Sequence, residues 1–118
     1  MTCLIWGGET TVAAGERPPA GGRCQELALA AATKLAGTAS DGVTLLAAGT
    51  DGRDGPTDAA GAIVDATTWT DITVAGHDAD ALLRAHASYQ ALNAARALLQ
   101  PGPSGTNVMD VTIALVRA

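Results

Sequence analysis

Val43-Thr-Leu-Leu-Ala-Ala-Gly-Thr-Asp-Gly-Arg-Asp-Gly-Pro-Thr-Asp58 decides how the rest of the chain is read. Its first part, Val43 to Ala48, is a short apolar run with no polar alternation. That pattern suits a strand covered on both faces, the usual situation in a parallel sheet. The run stops at Gly49 and opens into a loop carrying Asp51, Asp54 and Asp58 among Gly49, Gly52, Gly55 and Pro56. Ligands of open α/β sheets collect beyond the carboxyl ends of such strands. This loop is therefore the first candidate for a site. Gly, Asp and Pro are also the ordinary turn formers, so an acidic surface turn is the competing reading.

Upstream, Thr2 to Trp6 is apolar and β-prone and ends at Gly7-Gly8. A strand beginning almost at the first residue is unusual, since natural domains seldom open inside a core strand unless something upstream is missing. Thr10 to Ala13 is expected to form a second short strand. Gly15 to Gly22 reads as loop. From Arg23 to Leu35 or Ala36, Leu27, Ala28, Ala31 and Leu35 share one face at helical spacing. Glu26 complements the start of this helix and Gly37 its end. Gly21-Gly22-Arg23 thus stands at a helix N-terminus, where free N–H groups and a guanidinium suit an anion. A solvated arginine at a plain loop-to-helix junction fits the same residues.

Downstream, Asp58 to Gly61 suits one helical turn and Ala62 to Val64 a short strand. Thr67 to Gly76 reads as loop or edge segment, with Trp69 covering a core edge. Asp78 is expected to cap a helix through Arg84. Ser88 is expected to cap another, from Tyr89 to about Leu99, with Leu92, Ala95 and Leu99 inward and Pro101 as its stop. Gly102-Pro-Ser-Gly-Thr-Asn107 is a second polar, glycine-rich loop before a closing strand over Val108 to Val116.

The bulk numbers fit one α/β domain. The 118 residues hold one core but not comfortably two. Hydrophobic residues make up 47% and mean hydropathy is +0.19, so the chain should fold. Aromatics are 3% with no Phe, so Ala, Leu, Val and Ile must build the core. Seven basic against twelve acidic residues, with no basic stripe, argue against nucleic-acid binding. No apolar run reaches the roughly 20 residues that span a bilayer. No signal peptide is visible. Cys3 and Cys24 form no metal pattern and read as reduced thiols of a cytoplasmic protein.

No single motif decides a chemistry. The acidic loop lacks EF-hand spacing, though one or two carboxylates suffice for Mg²⁺ beside substrate phosphates. The loop at 102–107 lacks the Lys of a Walker motif but its N–H groups suit an oxyanion nest. Glu9 follows a strand end, as a base, a positioning group or a turn residue. His77 and His86 have no partner at ligand spacing and read as surface residues. No GxSxG elbow is present. The four glycine-marked turns together, each beside an element end, point to one shared rim.

Those four turns also carry a resemblance. Leu4-Ile-Trp-Gly-Gly-Glu-Thr-Thr-Val12, Gly21-Gly-Arg-Cys-Gln-Glu-Leu-Ala-Leu29, Leu46 to Ala62 and Gly102-Pro-Ser-Gly-Thr-Asn-Val108 resemble, in order, the MOFRL domain. That is the C-terminal domain of class II glycerate 2-kinases, often labelled hydroxypyruvate reductases. The resemblance implies a three-layer α/β domain over 1–118, with a mixed, mainly parallel sheet flanked by helices. It implies transfer of the ATP γ-phosphoryl group to glycerate with Mg²⁺, in a cleft shared with an N-terminal Rossmann-like domain absent from this chain. It makes Arg23, Asp51 and Asp54 catalytic candidates and Glu9, Asp58, Thr106 and Asn107 substrate-binding ones. Phosphoryl transfer needs charge clamps and orientation more than covalent chemistry, which suits this set. Cys24, Ala87 and Met109 stand where the family usually has Asn, Asp and Asn. The expectation is a cleft-forming domain inactive alone, with ATP and Mg²⁺ only in a complete kinase and none held tightly here. Its expected partners are a small anionic substrate and either an N-terminal kinase domain or a second copy. The rival is a stand-alone anion-binding or protein-interaction module.

Overall fold

A computed structural model describes residues 1–12, 19–36 and 42–117. Five strands and four helices are present among them: β1 (Thr2–Gly8), α1 (Arg23–Ala36), β2 (Val43–Gly49), β3 (Gly61–Asp65), α2 (Thr68–Val74), α3 (Ala79–Arg84), α4 (Ser88–Ala94), β4 (Leu98–Leu99) and β5 (Asp110–Val116). The strands form one sheet in the order β1-β5-β2-β3-β4. The run at 43–48 is its central strand, as expected.

The sheet is not mainly parallel: every neighbouring pair is antiparallel. Two features of the chain produce this. β2 and β3 are joined by the loop 50–60 without a crossover helix, and a return that short brings the second strand back antiparallel. β1, α1 and β2 do make a strand-helix-strand unit with both strands running the same way. The closing strand β5 inserts between them and pairs with each.

Nor do helices flank both faces among the described residues. The buried cluster joins Cys24, Ala28, Leu29 and Ala32 of α1 to Ala47, Ala62 and Val64 of the sheet, with Ile72, Ala79, Ala91 and Leu92 from the other helices. The sheet residues in it share one face, and Leu45 and Leu98 pack on the same side. Small side chains let α1 lie close on β2 and β3, so the alanine-rich composition sets the layer spacing. The opposite face carries Ile5, Ile113, Leu46 and Ile63, a row in register across four strands. Ile5 is 66% exposed and Ile63 42% exposed, and neither belongs to the core. The uninterrupted apolarity of Val43 to Ala48 therefore has two sources: one face under helices, the other apolar but bare.

Local expectations fared unevenly. α1 starts at Arg23 as read, and Gly37 lies outside the described residues. Asp78 caps α3 through its side chain, which accepts from the Ala81 N–H. Thr67 to Gly76 is not a loop: Thr68–Val74 is helical, because burying Ile72 and packing Trp69 on the core outweigh β-branched propensity. The last helix ends at Ala94, not near Leu99. Its cap residue is Ala87, with no side-chain cap, and Leu98–Leu99 turns out to be an edge strand on β3. Asp58 to Ala60 makes no helical turn, and Gly61 begins β3. Thr10 to Val12 is not a strand, and Ala13 lies outside the described residues.

Candidate functional site

One end of the sheet gathers the glycine-marked turns. β1 ends at Gly8, β2 ends at Gly49 and β5 begins at Asp110, and the register sets both glycines opposite Asp110. The start of α1 lies beside them. Arg23, the first residue of α1, is gripped there. Its Nε donates to Asp110 Oδ2 at 2.6 Å and its Nη2 to Asp110 Oδ1 at 3.1 Å. Its Nη1 pairs with Glu9 Oε1 at 2.9 Å. The bidentate bond to Asp110, foremost, pushes the guanidinium pKa further up, so it stays charged. The Arg23 side chain remains 40% exposed.

The N-terminus of α1 already holds an anion. Asp54, 3% exposed, turns inward and accepts from the N–H groups of Cys24 at 3.0 Å and Gln25 at 2.8 Å. A carboxylate there satisfies two orphan donors and sits in the favourable end of the helix dipole. Gln25 Nε2 reaches back to the Asp54 carbonyl and to Thr57 Oγ1, locking the acidic loop to the helix. Gly22 is required here, because a Cβ would meet the Asp54 carboxylate. Cys24 is buried beneath this cluster. Burial first, then the Asp54 charge, pushes its thiol pKa up, so it is an inert thiol.

The other two acids point elsewhere. Asp51 Oδ1 accepts from the Arg53 N–H at 3.0 Å, closing a tight turn. Asp58 Oδ1 accepts from the Tyr89 hydroxyl at 2.8 Å, and that bond, foremost, holds its carboxyl below the usual range. Asp51, Arg53, Thr57 and Asp58 line a shallow, open hollow of about 400 Å³ together with Gly102 and Pro103. The second glycine loop is laced to the first. The Ser104 N–H donates to the Asp51 carbonyl at 3.1 Å, the Val108 N–H donates to Thr50 Oγ1 at 2.8 Å, and Thr50 Oγ1 donates to the Met109 carbonyl at 2.7 Å. Thr106 and Asn107 are exposed on it, and Asn107 Oδ1 accepts from the Met109 N–H at 3.0 Å. The structure thus brings Arg23, Glu9 and the backbone of the acidic loop to one rim. It does not converge the three Asp side chains.

Sequence reasoning missed Asp110, the principal partner of Arg23. Its signal was faint, a single acid opening an alternating strand 87 residues away. His86 is not an unpartnered surface residue: its Nδ1 lies 2.8 Å from Glu26 Oε1, on the first turns of α1. The three departures from the resemblance fall at backbone positions with special needs. Residue 24 is in the first turn of α1. Residue 87 caps α4, where Asp is a favoured cap and Ala is not. Met109 has φ 69°, a region that Asn tolerates better.

The MOFRL family profile matches residues 2–110, nearly the whole chain. The chain belongs to the MOFRL family. The D-glycerate 2-kinase of Thermotoga maritima is 51% identical over 113 residues, covering 96% of this chain and 26% of the relative. The glycerate 2-kinase of Pyrococcus horikoshii is 47% identical over 116 residues, again with 26% of the relative covered. A solved glycerate kinase structure from Thermotoga maritima superposes with a TM-score of 0.89 at 50% identity, over 98% of this chain and 27% of that one. This MOFRL chain therefore spans about a quarter of the length of the relatives it matches. No described helix is long and apolar enough to cross a membrane.

Proposed function

We propose that this MOFRL chain forms one wall of the substrate cleft of a glycerate 2-kinase, as its C-terminal domain, and does not turn over alone. The observation that carries the reading is Arg23: a permanently charged, half-exposed fork, aimed by Asp110 at the rim where the strand ends and two polar loops meet. Such a fork suits a carboxylate or phosphoryl oxygen. Asp51 and the exposed Asn107 supply polar groups on the neighbouring loops, with Thr106 beside them. Asp58 borders the same hollow. Asp54 acts as a positioning residue, fixing the acidic loop against α1, rather than as a group that meets substrate. Phosphoryl transfer from ATP runs on orientation and charge clamps drawn from both walls of a cleft, so one wall should not suffice.

The carboxylates do not fit a metal cage. Among the described residues no group of three or more His, Cys, Asp or Glu could hold a metal ion. In this reading Mg²⁺ enters with ATP in the complete kinase, and the location is cytoplasmic. The bare aliphatic row on the sheet supports a covering partner, the rest of a longer polypeptide or a second copy, because antiparallel sheets that face water usually carry polar residues there.

The test has two parts on the chain as it stands. A coupled assay with ATP, Mg²⁺ and D-glycerate should show no turnover, and ordinary kinase rates would refute the need for a second wall. D-Glycerate or inorganic phosphate should raise the melting temperature by native-state binding, and the rise should vanish in Arg23→Gln. An unchanged melting temperature with both anions sinks the cleft reading.

A further inference from the structure

Arg23 is held by two carboxylates of unlike character. Asp110 is 11% exposed at its side chain and opens β5, fixed between β1 and β2 by the register of both. It takes two guanidinium N–H groups in parallel, the strongest geometry open to this pair. Glu9 is 45% exposed, takes one N–H, and lies beyond the last residue of β1. It follows Gly8, whose φ of 142° side chains rarely adopt and which has open space around it. An exposed single-contact ion pair is screened by water and contributes little. One partner is therefore built in and the other is loosely held.

The charge count makes the difference consequential. One guanidinium between two carboxylates leaves the cluster at −1, so an anion approaching it intact is repelled. If a carboxylate takes the place of Glu9, the charge paired with the guanidinium is unchanged. The space for that exchange exists: Glu9, Thr10, Thr11, Val12, Arg23 and Gly55 line an open hollow of about 450 Å³. The two threonine hydroxyls there are of the type that would take over the remaining oxygens of a carboxylate or phosphate.

We propose that Glu9 is an exchangeable counter-ion that an incoming carboxylate or phosphate displaces from Arg23, while Asp110 is the positioning residue that keeps the guanidinium aimed. Glu9 is then a competitor for the anion subsite and not one of its ligands. It sets a threshold, because an anion must outcompete a tethered carboxylate to bind. This rests on the reading of Arg23 as the anion-holding group.

Titration of the 118-residue chain with D-glycerate, and separately with inorganic phosphate, separates the two claims. The readouts are the binding constant and the Arg23 Nε–Hε NMR resonance. Glu9→Gln removes the competing charge at an exposed position and should tighten binding of at least one anion by at least about threefold. The tighter anion identifies the source, carboxylate or phosphate. Asp110→Asn should weaken binding and broaden the Arg23 resonance, and a thermal melt shows whether that variant is folded. Arg23→Gln should abolish binding. If Arg23→Gln abolishes binding while Glu9→Gln leaves it equal or weaker, the exchange idea fails and the anion site stands. If Arg23→Gln changes nothing, or no variant binds either anion, both fail.

Discussion

The rim and the bare face of the sheet handle unsatisfied groups in opposite ways. At the rim the charges named above are answered within the chain: Arg23 by Asp110 and Glu9, Asp54 by the first turn of α1, Asp58 by Tyr89. On the bare face Ile5, Leu46, Ile113 and Ile63 form an apolar row that none of the described helices covers. A buried polar group left unpaired carries a desolvation cost of about 1–3 kcal/mol, which is why the inward-turned Asp54 is met by N–H groups of the chain itself. An aliphatic group left in water forgoes about 25 cal/mol per Å² of surface, a cost of similar size that a covering surface would recover. Among the described residues the rim is thus paired within the chain, while the aliphatic row is left to water.

The sharpest way to break this contrast is to truncate one aliphatic residue on each face. Leu29 is fully buried in α1 against the sheet, and Leu29→Ala should cost about 3 kcal/mol in urea denaturation. Ile63→Ala, on the bare face, should cost under about 1 kcal/mol in the same assay. Equal costs would mean that Ile63 is covered in solution, by a second copy or by another part of the chain.

At the rim, Asp54→Ala should destabilise by about 2 kcal/mol, because the N–H groups of Cys24 and Gln25 lose a buried acceptor. A loss of only a few tenths would show that water replaces the carboxylate easily and that the acidic loop is not fastened to α1.

Tyr89→Phe should have the smallest effect and is best read by NMR titration of Asp58. The Tyr89 hydroxyl lowers the folded-state pKa of that carboxyl. Its contribution to stability is present above the unfolded carboxyl pKa and fades as pH falls through the lower folded value. In Tyr89→Phe the Asp58 pKa should move up towards the ordinary range, and the acid-side loss of stability should shrink. An unshifted titration would remove Tyr89 from the rim's internal pairing.

How much of this was legible differs residue by residue. The start of α1 at Arg23, the cap at Asp78 and the central place of Val43–Gly49 follow from short-range chemistry, and all three could be read directly. The helix over Thr68–Val74 and the early end of α4 could not, since both depend on what Ile72 and Leu98 pack against. Arg23 and Glu9 could be singled out as candidates, but not as partners. Asp110 was invisible because its importance comes from a strand that crosses back between β1 and β2.

The sequence alone determined part of the local vocabulary: which stretches are apolar, where α1 and α3 start, and that a guanidinium and several acids stand at element ends. Those are properties of neighbours within a few residues. The tertiary structure decided strand direction, the single helical layer and which acid meets which donor. Each of these is set by pairing between segments far apart in the chain, where loop closure and packing choose among partners that local chemistry leaves equivalent.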